Sequence, residues 1–172
     1  MANNKYICIH GHFYQPPREN AWLEAIEKQD SAAPFHDWNE RINFECYAPN
    51  TAARILGKDS NIINITNNYS QIIFNFGATL LSWLQKEDID TYRAIIEADQ
   101  NSATNFGGHH SGMAQVYNHI IMPLANERDK DTQVIWGIKE FAHRFGRTPK
   151  GIWLAETAAD TATFEALSLI HI

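Results

Sequence analysis

The chain has 172 residues, 44% of them hydrophobic, which is enough for the core of one ordinary domain and excludes a disordered protein. The net charge is −6 and the acidic and basic residues are interspersed, so a phosphate-binding surface is excluded and no nucleic-acid partner is expected. The first apolar run, residues 6–9, is too short for a signal peptide or a membrane span, so a cytoplasmic protein with no membrane partner is predicted.

Four apolar runs predict the strands, and helical spacing lies between them. The strands are expected at residues 5–10, 72–76, 113–117 and 151–155. Helices are expected after the second run, over residues 90–100 and 132–145, and from Asp160 onward. Asp131 is the expected N-cap of the third helix, and Gly146 its stop.

The alternation of strands and helices predicts an α/β fold with a parallel sheet. About four strand–helix units fit into this length, fewer than the seven or eight that close a barrel. A long, irregular loop extends from the first strand to about Asn50, and long ordered loops are usually functional.

Polar residues lie at the end of each predicted strand. In parallel α/β barrels these carboxyl ends carry the reactive groups. The candidates are His10, His12, Asn75, Asn118, His119 and Glu156.

Glu156 is the principal candidate, because a carboxylate at the end of a buried strand is costly unless it is hydrogen-bonded or used. The alternative is a surface glutamate that caps the next helix. Trp153 and Thr157 beside it favour a functional site.

His10 and His12 are two residues apart on one strand, so their side chains are expected on the same face. Two imidazoles at this spacing can hold a divalent metal or donate hydrogen bonds to sugar hydroxyl groups. A pair of buried, satisfied histidines is the third alternative, and spacing alone leaves all three open.

Three segments resemble the signatures of glycoside hydrolase family 57. Residues 10–16, HGHFYQP, resemble the first signature, a His-Gln-Pro group after an earlier histidine, with Phe13 and Tyr14 as two extra residues. Residues 118–124, NHIIMPL, resemble the second. Residues 151–158, GIWLAETA, resemble the third, a Trp-Leu-Pro-Glu strand end in which Ala155 replaces the proline. Residues 38–41 and 74–77 also fit a branch of large proteins related to α-amylases and α-mannosidases.

The resemblance implies a partial (β/α)7 barrel, an incomplete TIM-like barrel truncated after about four strand–helix units. Residues 1–172 are then the N-terminal part of a single catalytic barrel domain, inactive alone, whose last residues, 167–172, look like translated adapter sequence. The general acid is expected on a later strand, since Asp160 lies only four residues beyond Glu156.

The activity implied is retaining hydrolysis or glucanotransfer on an α-linked oligo- or polysaccharide, with Glu156 as the nucleophile and no metal or other cofactor. The substrate-binding residues would be His10, His12, Trp38, Asn75, Asn118, His119 and Trp153. Two alternatives stay open: a metal-dependent hydrolase that uses His10 and His12 as ligands, and a non-catalytic carbohydrate-binding barrel.

Overall fold

The protein is a mixed α/β structure, seen in a computed structural model that describes residues 5–169. The strands are β1 (His10–Phe13), β2 (Glu19–Asn20), β3 (Ala25–Ile26), β4 (Ala53–Leu56), β5 (Ile62–Thr66), β6 (Ile73–Phe76), β7 (Ala114–Gln115) and β8 (Ile152–Trp153). The helices are α1 (Trp38–Ile42), α2 (Ala48–Thr51), α3 (Ala78–Glu87), α4 (Ile89–Asn105), α5 (Glu127–Phe145) and α6 (Thr161–Leu169). Residues 170–172, the end of the segment predicted to be non-native, lie outside the described range.

Four strands run parallel in the order β1-β6-β7-β8. β1 pairs with β6 and β7 with β8. A parallel bridge between Phe74 and Gly112 joins the two pairs, with the Phe74 amide donating to the Ser111 carbonyl at 3.0 Å. The remaining pairs, β2–β3 and β4–β5, are antiparallel. Within residues 5–169 the parallel strands form no closed barrel. The predicted α/β class is confirmed, because parallel strand pairs and helices are both present.

The prediction of the first strand over residues 5–10 was wrong. The strand begins where that range ends, at His10, and Ile7 is 93% exposed. The cause is the length of the neighbour: β6 has four residues, and their partners are His10 to Phe13. Among the described residues, the contact of a strand with the apolar run before His10 includes one hydrogen bond, which the Ile73 amide of β6 donates to the Ile9 carbonyl at 3.0 Å. The other three predicted strands are confirmed in position, although each is shorter than predicted.

The long helix α5 begins at Glu127, five residues before the predicted start. Its N-cap is Asn126, whose side chain accepts a hydrogen bond from the Asp129 amide at 3.0 Å, so the predicted cap Asp131 lies inside the helix. The first turn is acidic, which is favourable at the positive end of the helix dipole. Because this turn has no apolar periodicity, the sequence pattern did not predict it as helical. The predicted stop at Gly146 is confirmed, since its φ of 68° is left-handed.

The helices cover the parallel strands through two apolar clusters. The larger contains Tyr69, Phe74, Leu80, Leu84 and Ile95, all fully buried. The smaller contains Val116, Met122, Val134 and Ala155 and lies beside β7 and β8. Within the described range no helix is long and apolar enough to cross a membrane. The strand ends are thus held by a packed interior, which fixes the positions of the polar residues at their carboxyl ends.

A buried ion pair secures the junction between β6 and β7. Asp99 is 1% exposed and accepts two hydrogen bonds from Arg147, at 2.7 and 2.8 Å. The Asp99 carboxylate also accepts from the Gly112 amide at 2.7 Å, and Arg147 donates to the Gly112 carbonyl at 2.8 Å. Bidentate pairs of this kind are strong and geometrically specific. The segment that pairs with β6 is therefore fixed through both the amide and the carbonyl of Gly112.

Candidate functional site

The carboxyl ends of β1, β6 and β7 are connected by a chain of side-chain hydrogen bonds. His12 lies opposite Asn75 in the parallel register. The Asn75 amide nitrogen Nδ2 donates to Gln115 Oε1 at 2.7 Å and lies 2.9 Å from His12 Nδ1. Asn75 and Gln115 are 1% and 5% exposed, so both amides are held inside the protein. Three neighbouring strands thus contribute one polar residue each to a single network.

The network fixes the positions of two histidines. His12 Nδ1 lies 2.9 Å from Asn75 Nδ2 and 3.2 Å from Asn75 Oδ1, so either tautomer of His12 finds a partner there. His12 Nε2 lies 2.9 Å from His119 Nε2, and one of these two nitrogens donates to the other. The arrangement gives each imidazole a fixed orientation.

Aromatic rings pack around these histidines. The Trp153 ring contacts both His10, at a centroid distance of 4.4 Å, and His12, at 5.3 Å. The predicted placement of the two histidines on the same face is thereby confirmed. On the other side, Tyr14 stacks on His119 at 3.8 Å. The rings of β1, β8 and the loop after β7 thus form one continuous surface.

Three buried polar atoms at this surface have no hydrogen-bond partner in the described part of the chain. They are His10 Nε2, Gln115 Nε2 and Trp153 Nε1, and the described residues contain one other such atom, in Asn43. A buried polar group without a partner costs about 1 to 3 kcal/mol. These three atoms mark the part of the site where a further polar group would satisfy the most hydrogen bonds.

Glu156 lies directly after β8, in a short 3-10 turn over Ala155–Thr157, and its side chain is exposed. Its backbone is left-handed, with φ 55° and ψ 19°, and Thr157 also has a φ of 55°. This conformation is unfavourable for residues other than glycine, above all for a β-branched one. His119, in the loop after β7, has the same φ of 55°. Strained residues of this kind cluster at functional sites.

Electrostatic interactions connect the loop after β7, which carries His119, with the turn after β8, which carries Glu156. Burial lowers the pKa of His119, and the neighbouring His12 lowers it further, whereas the negative charge of Glu156 raises it. Burial also lowers the pKa of His10, against a hydrogen bond that His10 donates to Asn75 and that raises it. Both imidazoles are consequently neutral near pH 7. Glu156 therefore lies close enough to His119 for its charge to act on that imidazole.

The lowered histidine pKa values predict a loss of stability in acid. A histidine whose pKa is lowered by folding binds fewer protons in the folded state, so its contribution is fully present above about pH 6.5 and is lost as pH falls toward the folded pKa. The free energy of unfolding, measured in urea, should therefore decrease between pH 7.5 and pH 5. The double variant His10→Gln with His119→Gln should show a weaker dependence of the free energy of unfolding on pH. His109→Gln, in an exposed loop, should keep the dependence of the parent protein. An equal slope of the free energy of unfolding against pH in the parent, the double variant and the control would contradict the assignment.

Two predicted site residues lie outside the network. The Trp38 indole nitrogen donates to Ser31 Oγ at 2.9 Å, and the guanidinium carbon of Arg41 lies 4.9 Å from the ring centroid. The Asn118 side chain is exposed, next to His119, and its backbone amide donates to the side chain of Gln133 at 2.7 Å. The proposed roles of Trp38 and Asn118 in substrate binding stay predictions.

The described residues contain no group of three or more His, Cys, Asp or Glu side chains arranged to hold a metal ion. The alternative in which His10 and His12 begin a metal site therefore has no third such ligand in this range. His12 also contacts His119, and their Nε2 atoms lie at a hydrogen-bond distance of 2.9 Å from each other.

Sequence reasoning missed two residues of the site, Gln115 and Tyr14. Gln115 was present in the third predicted strand as a polar residue between Ala114 and Val116, and this break in an apolar run was the available signal. Tyr14 was seen only as an extra residue in the first signature. Its contact with His119 joins positions 105 residues apart in the chain, and no local pattern reports such a contact.

The comparison with known families decides the identity. The family model described as glycosyl hydrolase family 57 matches residues 4–169, which is nearly the whole chain. The chain belongs to this family. The resemblance drawn from the three signatures is thereby confirmed, and the family consists of glycoside hydrolases and glucanotransferases that act on α-linked glycans. No curated protein and no solved structure matches the chain.

Proposed function

We propose that the family 57 chain carries the nucleophile of a retaining hydrolase or glucanotransferase, and that this nucleophile is Glu156. The observation that carries the proposal is the position of this carboxylate. It follows β8 on a strained turn, and its charge acts on His119, which is bonded to His12. A carboxylate that is exposed beside neutral imidazoles can approach a sugar ring without a competing cation.

The fold proposed for this role is a partial (β/α)7 barrel in which β1, β6, β7 and β8 are the first four barrel strands. Their parallel order and the polar residues at their carboxyl ends support it, because barrel enzymes place reactive groups at that end. The intervening helices α3, α4 and α5 take the place of the outer ring.

The reaction follows from the geometry of retention. One Glu156 carboxylate oxygen forms a bond to the anomeric carbon while the glycosidic bond breaks, and the electron pair leaves with the departing oxygen. A second carboxyl group, about 5 Å away, protonates that oxygen. The resulting glycosyl ester is then displaced by water or by another sugar hydroxyl, which gives hydrolysis or transfer. In this proposal the acid is an aspartate that belongs to a later strand.

The neighbouring side chains would hold the sugar in the reacting position. His10 Nε2 and Trp153 Nε1 have no partner among the described residues and would bond to sugar hydroxyl groups. Asn75 would act through His12, whose orientation it fixes. Such bonds contribute to the rate when they strengthen in the transition state, as the ring flattens toward an oxocarbenium ion.

The stereochemistry of the product tests this function. In a protein that also contains the later strand with the acid, we expect an α-linked glucan or mannan oligosaccharide to give the α-anomer first, observed by proton NMR before mutarotation, with EDTA leaving the rate unchanged. A β-anomer as first product would contradict retention. Loss of activity with chelator, restored by zinc, would favour the metal-dependent hydrolase instead. Saturable glycan binding without any turnover would favour the non-catalytic barrel.

A further inference from the structure

A second cavity lies apart from the Glu156 surface, between the β2–β3 hairpin and the junction of α3 with α4. This cavity, here called the acidic groove, has a volume of about 630 Å³. Binding sites for small molecules generally measure about 300 to 1,000 Å³. The groove is therefore large enough for an organic ligand rather than a single ion.

The lining of the acidic groove is strongly negative. Its carboxylates are Glu19, Glu24, Asp37, Glu40, Glu87 and Asp88. Lys86 is the single lysine among the lining residues, and it is paired with Glu87 at 3.1 Å. Six carboxylates and one lysine leave an excess of five formal negative charges, close to the formal net charge of −6 of the whole chain. Charge of one sign gathered in a concave surface attracts ligands of the opposite sign.

A buried acceptor without a partner lies in the same groove. Asn43 is 8% exposed and its amide nitrogen donates to Asp88 Oδ2 at 2.7 Å, whereas its Oδ1 has no hydrogen-bond partner in the described part of the chain. An oxygen of this kind requires a donor. Asn43 therefore adds a hydrogen-bond acceptor to the carboxylates of the groove, which suits a ligand that carries donors as well as positive charge.

Further features of the acidic groove favour an organic cation over a metal ion as its ligand. Trp83 contributes an aromatic ring to the lining, and aromatic faces attract ammonium and guanidinium groups. The described residues offer no set of three side chains placed to coordinate a metal. Two of the carboxylates, Asp37 and Asp88, are also already bonded to helix N-termini, which orients them toward fixed positions.

We propose that the acidic groove is a second binding site, which takes a linear organic polyamine through its ammonium groups. One ammonium group would bond to Asn43 Oδ1 beside Asp88. The others would lie along the carboxylates of the hairpin and of α3, with Trp83 against the methylene chain. The site is independent of the glycan chemistry proposed for Glu156.

Calorimetric titration of the 172-residue chain with spermidine at low ionic strength tests this site. We expect saturable binding of one spermidine per chain, weakened at least tenfold by Glu24→Gln with Glu87→Gln. Both residues are exposed and line the groove, so folding should be retained. The matched control is Glu97→Gln with Glu165→Gln, which removes the same charge from exposed positions outside the groove and should change the affinity less than twofold.

Three results would overturn the polyamine site. They are the absence of saturable binding, an equal loss of affinity in both double variants, and complete displacement of spermidine by an equimolar amount of calcium chloride. The second would show attraction to the overall charge of the protein. The third would show a metal site in place of a polyamine site.

Discussion

Replacing Glu156 with Gln, in a protein that also contains the later strand with the general acid, should reduce turnover of an α-linked glycan by at least about a thousandfold, because the amide cannot form the glycosyl ester. Glycan affinity should change little, since the side chain keeps its size and the binding groups stay in place. The same variant should lower the pKa of His119 further, because the charge that raises it is removed. Proton NMR titration of the imidazole measures this shift in the absence of any substrate.

Glu165→Gln is the matched control for Glu156→Gln. Glu165 is an exposed glutamate on α6, nine residues further along the chain. The control should keep both the turnover and the His119 titration of the parent protein. Full turnover in Glu156→Gln would refute the role of nucleophile, and an unchanged His119 pKa would refute the proximity of the two side chains.

The substitution Gly137→Ala should produce the largest loss of stability among single changes near the site. A Cβ atom at this position would lie 2.1 Å from the Gln115 carbonyl oxygen, because α5 crosses β7 in close contact. The obstacle is backbone on both sides, so relief requires a shift of the helix or the strand. We expect the free energy of unfolding, measured in urea, to decrease by about 3 kcal/mol. Activity should fall too, since a displaced Gln115 releases Asn75 and His12.

Gly146→Ala provides the comparison for Gly137→Ala. Nothing lies within 4 Å of a Cβ at position 146, so the cost comes only from its φ of 68° and should be about 1 to 2 kcal/mol. The activity of this variant should be retained. Equal stability of the two variants would contradict the close approach of α5 to β7.

Local patterns in the sequence were sufficient to locate three of the four parallel strands. Glu156 was proposed because polar residues follow apolar runs, and the placement of His10 and His12 on one face follows from strand periodicity. The helices α3 and α4 followed from apolar spacing, and the stop of α5 from Gly146. These features depend on residues near one another in the chain.

Features that depend on partners distant in sequence were not predicted. The first strand was misplaced because the extent of β6, more than sixty residues away, decides which residues of β1 find a partner. The start of α5 was missed because an asparagine cap and a polar first turn carry no apolar signal. Gln115 and Tyr14 belong to the site only through contacts with Asn75 and His119. The antiparallel pair β4–β5, whose isoleucines are largely exposed, lacks the alternation that reveals a half-buried strand.

The most direct test of Glu156 as the nucleophile is covalent labelling with 5-fluoro-α-glycosyl fluorides of the gluco and manno series. Fluoride leaves the anomeric carbon without protonation, so the labelling step does not depend on the general acid. The ring fluorine destabilises the oxocarbenium-like transition state and slows release of the sugar. Mass spectrometry of the digested protein should find one fluorosugar on the peptide that contains Glu156, and none in Glu156→Gln. A label on another carboxylate, or none under conditions in which glycan is turned over, would contradict the assignment.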